Sequence, residues 1–63
     1  MELMIKDIIG SDIASDNEQG DLIYNKIVSG VDNHEKQIFL DFYYIKLITT
    51  DFLNKAIGKL YKR

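Results

Sequence analysis

Cysteine is absent, and with it any disulfide framework and any thiolate zinc site. A single histidine, His34, cannot hold a metal by itself. Proline is also absent, glycine occurs only at 10, 20, 30 and 58, and no repeat, low-complexity stretch or linker divides the chain. No apolar run approaches the roughly 20 residues a bilayer span needs, and the N-terminus lacks a basic region followed by an apolar one. The expectation is a soluble cytoplasmic protein with one domain over residues 1–63, no membrane association and no cofactor. A chain this short buries only about 60% of the surface its unfolded form exposes. Such scaffolds usually need disulfides, a metal or oligomerisation to fold stably. With the first two excluded, a homo-oligomer or a protein partner is expected.

A hydrophobic share of 46% and a charged share of 29% are those of a globular protein, not of a disordered one. The net charge of −2 argues against a general nucleic-acid binder. Its distribution is uneven. Residues 1–32 carry Glu2, Asp7, Asp12, Asp16, Glu18, Asp21 and Asp32 against Lys6 and Lys26, a net −5. Residues 33–63 carry Lys36, Lys46, Lys55, Lys59, Lys62 and Arg63 against Glu35, Asp41 and Asp51, a net +3. Opposite halves of this kind attract each other within a fold or between copies.

The segment Leu3–Ile9 is rich in Ile and Leu and ends at Gly10-Ser11-Asp12, which reads as a strand and a turn. Ser15 with Glu18 three residues on matches a capping box. Gln19, Leu22, Ile23, Tyr24, Ile27 and Val28 then follow at helical spacing, and Gly30 is suited to close the helix, predicting one over residues 16–29. Gln37–Ile48 is almost continuously apolar and dense in β-branched and aromatic residues. It suits a strand covered on both faces over about 37–43, followed by an extended connection. Thr49, Thr50 and Asp51 are all good N-caps. After them Phe52, Leu53, Ala56, Ile57, Leu60 and Tyr61 form one apolar stripe, with Asn54, Lys55, Lys59 and Lys62 on the other face. The fold class is therefore α/β, a small βαβα unit with a two- to three-stranded sheet and two helices. Such a sheet has exposed edges and an incompletely covered face.

No nucleophile–base pair, elbow motif or phosphate-cradling glycine loop is present, so no enzymatic activity is expected. The carboxylates Asp12 and Asp16 are accounted for as turn and cap residues. Asp41 lies inside an apolar strand, where a carboxylate is costly unless hydrogen-bonded. Near the strand's C-terminal end it either caps a loop or pairs with a lysine, or else it anchors the Thr49–Asp51 turn. Tyr43, Tyr44 and Tyr61 read as core or protein-interface aromatics, because base-stacking platforms sit in strongly basic grooves.

Three pieces of the chain recur at a familiar spacing: Leu40-Asp41-Phe42, Thr49-Thr50-Asp51-Phe52 and Ile57-Gly58-Lys59-Leu60. Together with an upstream helix containing Gly20, they resemble a STAS-like domain of unknown function found in small bacterial and phage proteins. More remotely, they are similar to the STAS domains of anti-sigma-factor antagonists. There a serine or threonine in the turn before the helix is phosphorylated, which switches partner binding. By position that turn falls on Thr49, Thr50 and Asp51, with Asp41, Lys55 and Lys59 in support. Here Thr49-Thr50 replaces the Asp-Ser pair, and Asp51 places a permanent charge within the turn. The family continues with further strand and helix where this chain ends, so the expectation is a truncated STAS-like domain completed by association. What the resemblance implies is a regulatory, non-catalytic protein-interaction module that docks on a signalling partner through residues 49–61. The alternative is a small phage or mobile-element inhibitor that blocks a host defence enzyme with the acidic residues Asp16, Glu18 and Asp21. A third reading is a remnant that assembles only with itself.

Overall fold

The computed structural model describes residues 1–62, with side-chain surroundings for residues 1–60. In chain order it contains β1 (Glu2–Met4), α1 (Ile5–Ile9), β2 (Ile13–Ala14), α2 (Asn17–Asp32), β3 (Phe39–Asp41), β4 (Leu47–Ile48) and α3 (Thr50–Ile57), then a 3₁₀ turn over Gly58–Lys62. The strands form two short parallel ladders. β1 lies beside β3 in the register Glu2–Phe39, Leu3–Leu40, Met4–Asp41. β2 lies beside β4, with Ile13 opposite Leu47 and Ala14 opposite Ile48. The architecture is the small α/β unit expected, built as two two-stranded ladders joined by helical crossovers.

The expected strand Leu3–Ile9 is shorter than its composition suggested. Only Glu2–Met4 has a partner strand; the next five residues wind into α1, which Gly10 closes in the left-handed conformation at φ 70°. Coiling here lets Ile5 bury completely while Ile8 and Ile9 pack on the core. The first end of the molecule is pinned as well. The N-terminal ammonium donates to the Gln37 carbonyl at 2.9 Å and lies 3.3 Å from the Glu35 carboxylate.

The long helix runs further than expected, to Asp32 rather than 29. Its capping box is one residue on, between Asp16 and Gln19, not between Ser15 and Glu18. The Gln19 Oε1 accepts the N–H groups of Ser15 and Asp16, and its Nε2 donates to the Ile13 carbonyl. Gly30 does not end the helix. It is buried inside it, where a Cβ would come within 2.6 Å of the Met1 sulfur and 3.0 Å of the Ile38 side chain. The chain leaves the helix through Asn33 and a left-handed His34 at φ 63°.

The apolar run Gln37–Ile48 is likewise not one strand covered on both faces. β3 extends only over Phe39–Asp41, and Phe39 is 57% exposed because no layer covers the outer side of the sheet. Where an extended connection was expected, residues 42–45 turn: the Ile45 N–H donates to the Phe42 carbonyl, and Tyr44 adopts a left-handed φ of 69°. The Lys46 N–H then donates to Asp12 at 2.7 Å and starts the second ladder. The core is Leu3, Ile5, Ala14, Ile23, Ile27, Phe52 and Ala56, drawn from β1, α1, β2, α2 and α3. The predicted stripe of α3 is in place through Leu60, with Phe52 and Ala56 buried and Leu53, Ile57 and Leu60 packed against the core. The side chains of Tyr61 and Lys62, and all of Arg63, lie outside the described residues.

Candidate functional site

The turn between β4 and α3 is built on Thr49. Its backbone is extended, with φ −100° and ψ 159°, as an N-cap requires. The Thr49 hydroxyl oxygen accepts the Phe52 N–H at 3.3 Å and donates to the Ser15 carbonyl, also at 3.3 Å. The Thr49 N–H donates to the Ala14 carbonyl at 3.0 Å. Both functions of the hydroxyl are therefore in use, and the start of α3 is fastened to the end of β2.

Thr50 and Asp51 stand on the other side of this turn. Both are exposed, in the first turn of α3. Asp51 lies where a helix N-terminus favours negative charge. Of the three residues singled out from sequence, Thr49 is thus structural, and Thr50 and Asp51 are accessible. Their exposed oxygens lie at a helix start, where backbone N–H groups lack helical partners and a negative group is favoured.

Asp41 does not anchor this turn. Its Oδ1 accepts the Tyr43 N–H at 2.9 Å, a local bond that bends the chain at the end of β3. The buried carboxylate problem is avoided because Asp41 is only partly buried and already hydrogen-bonded. Lys55 of α3 and Lys59 of the following 3₁₀ turn both reach toward α2: the Lys55 ammonium is 3.7 Å from Asp21, and that of Lys59 sits 5.2 Å from the centre of the Tyr24 ring. The acidic set is divided. Asp16 caps α2, Asp21 faces Lys55, and Glu18 projects from the exposed first turn. His34 is exposed in the loop after α2, and among the described residues no three His, Asp or Glu side chains come together as metal ligands. No described helix is long and apolar enough to cross a membrane.

Two features of the site region were not anticipated from sequence. Gly20 lets α2 and α3 touch: a Cβ there would meet the Lys55 Cβ at 2.5 Å and the Phe52 carbonyl oxygen at 2.9 Å. A glycine in mid-helix was the visible sign of that approach. The second is the Tyr43–Tyr44 pair, edge to face with ring centres 4.3 Å apart and Lys6 over the Tyr44 ring at 5.2 Å. Nothing local in the sequence marks Tyr44 for a left-handed backbone.

Parallel ladders, a capped turn and a helix packed back on the preceding one define a small α/β domain. A family model described as a STAS-like domain of unknown function matches residues 19–63, more than two thirds of the chain. The chain belongs to that family. The three motif pieces all fall inside the matched range, whereas β1, α1 and β2 precede it. No curated protein and no solved structure matches the chain significantly.

Proposed function

We propose that this protein is a non-catalytic, cytoplasmic interaction module that docks on a signalling protein through the turn and helix of residues 49–61. The observation that carries the reading is the division of labour in the turn. Thr49 is consumed in holding the backbone, while Thr50 and Asp51 are presented to solvent at the start of α3. If the turn is modified, Thr50 is the acceptor, because phosphate on Thr49 would sever its bonds to Ser15 and Phe52. A phosphate on Thr50 would add nearly two negative charges beside Asp51 and change what the surface attracts. The inhibitor reading has weaker support, because capping and ion pairing already engage Asp16 and Asp21.

The test is affinity capture from extracts of the source cells, followed by titration of each captured protein against variants. Asp51→Ala and Thr50→Glu are expected to shift partner affinity by an order of magnitude while leaving the circular dichroism spectrum unchanged. Unaltered affinity in both variants would place the docking surface elsewhere.

A further inference from the structure

We propose that Gln19 is the residue that positions the turn before α3, acting through two peptide planes that it shares with Thr49. The Gln19 side-chain amide makes three bonds to the segment that joins β2 to α2. Its Oε1 accepts the Ser15 N–H at 2.9 Å and the Asp16 N–H at 3.0 Å, and its Nε2 donates to the Ile13 carbonyl at 3.1 Å. Thr49 meets the same segment from the end of β4. Its N–H donates to the Ala14 carbonyl at 3.0 Å, and its hydroxyl donates to the Ser15 carbonyl at 3.3 Å.

These bonds interlock because a peptide unit holds the carbonyl of one residue and the N–H of the next in a single plane. The unit between Ala14 and Ser15 offers its carbonyl to Thr49 and its N–H to Gln19. The unit between Ser15 and Asp16 does the same. Both units are trans, so the carbonyl and the N–H point in opposite directions. Gln19 and Thr49 therefore hold one pair of planes from opposite sides, and a plane that turns to suit one partner leaves the other. Hydrogen bonds linked in series also polarise one another, so each plane ties the strength of one bond to that of the next.

What these planes hold is the start of α3. The Thr49 hydroxyl that donates to Ser15 also accepts the Phe52 N–H, and the Thr49 carbonyl accepts the Leu53 N–H at 3.2 Å. Thr50 and Asp51 lie between those fixed points. The consequence for docking rests on the reading of residues 49–61 as the contact surface. On that reading Gln19 lies outside the surface and sets how Thr50 and Asp51 are presented.

Amide hydrogen exchange of the full chain, followed residue by residue by NMR, tests the coupling with no partner present. Gln19→Met keeps a long side chain and removes the acceptor. Gln19→Glu keeps an acceptor for Ser15 and Asp16 at neutral pH and loses only the donor to Ile13. In Gln19→Met, exchange at Thr49 and Phe52 should accelerate by about tenfold or more relative to Ile27 and Val28 in the later turns of α2. In Gln19→Glu these two amides should change no more than Ile27 and Val28 do. Coupling is reciprocal, so Thr49→Val gives a second test that does not depend on the folding of Gln19→Met. It should accelerate exchange at Asp16, whose plane loses its Thr49 bond, more than at Ser15, whose plane keeps the Thr49 N–H. Uniform acceleration of all four reporter amides in Gln19→Met, equal behaviour of the Met and Glu variants, or Asp16 exchange in Thr49→Val that only follows Ile27 and Val28 would each overturn the proposal. Unaltered partner affinity in Asp51→Ala and Thr50→Glu would instead overturn the docking reading and leave the coupling standing.

Discussion

At the scale of single residues, two glycines act by different physics. Gly10 has open space where its Cβ would be but a left-handed φ of 70°. Gly10→Ala is expected to cost about 1–2 kcal/mol from backbone strain alone. Gly20 has an ordinary helical backbone but no room, with Lys55 Cβ and the Phe52 carbonyl oxygen in the way. Alanine's higher helix propensity, worth about 1 kcal/mol, opposes an overpacking cost of about 1–3 kcal/mol. The second effect should win, because the obstacles are a Cβ and a backbone oxygen that move only if α3 moves. Urea denaturation of both variants checks the pair: Gly20→Ala should also reduce the α3 contribution to core burial, seen as a changed m-value, whereas Gly10→Ala should lower only the midpoint.

At the scale of elements, the start of α3 separates a structural hydroxyl from an accessible one. Thr49→Ala removes a helix cap and a tie to β2, and is expected to lower stability by about 1–2 kcal/mol. Thr50→Ala, at an exposed first-turn position, should stay within about 0.5 kcal/mol of the parent protein. Thermal melts of the two variants decide the matter, and equal losses would contradict the hydrogen bonding described. The clamp between α2 and α3 is weaker than it looks. Lys55 and Asp21 are both substantially exposed, so Lys55→Ala should change the unfolding free energy by no more than about 1 kcal/mol. The helices are held mainly by Phe52, Ala56 and Ile23.

At the scale of the molecule, stability is small and concentrated. At roughly 0.05–0.15 kcal/mol per residue, a domain of this length has about 3–9 kcal/mol in total. Phe52 is fully buried, and Phe→Ala in a core costs about 3–5 kcal/mol. Phe52→Ala should therefore remove a third of that stability or more and lower the melting temperature sharply, checked by circular dichroism on heating. The molecule measures 30 × 22 × 14 Å. With helices about 10 Å across, the shortest dimension holds one helical layer and one strand layer. Phe39 and Leu47, on separate ladders, each remain more than half exposed.

What the residues alone determined was mainly set by near neighbours, although the capping box lies one residue from its expected place and residues 42–45 turn where an extended connection was expected. The apolar spacing of α2 and α3 is a one-turn property, and the presence of an N-cap within Thr49–Asp51 is a local one, whereas which of the three caps was left open. The three motif pieces are also linear, and all lie within the residues the family model matches. Only the tertiary structure decided the length of β1, because Leu3–Ile9 is apolar enough for strand or helix and just three residues meet a ladder partner. It decided the role of Gly30, which depends on Met1 and Ile38 arriving from distant parts of the chain. It also decided which of Thr49 and Thr50 is free, since the hydroxyl of Thr49 is taken by Ser15, 34 residues away. Local chemistry propagates along the chain, whereas burial and accessibility depend on which distant segments come to rest beside it.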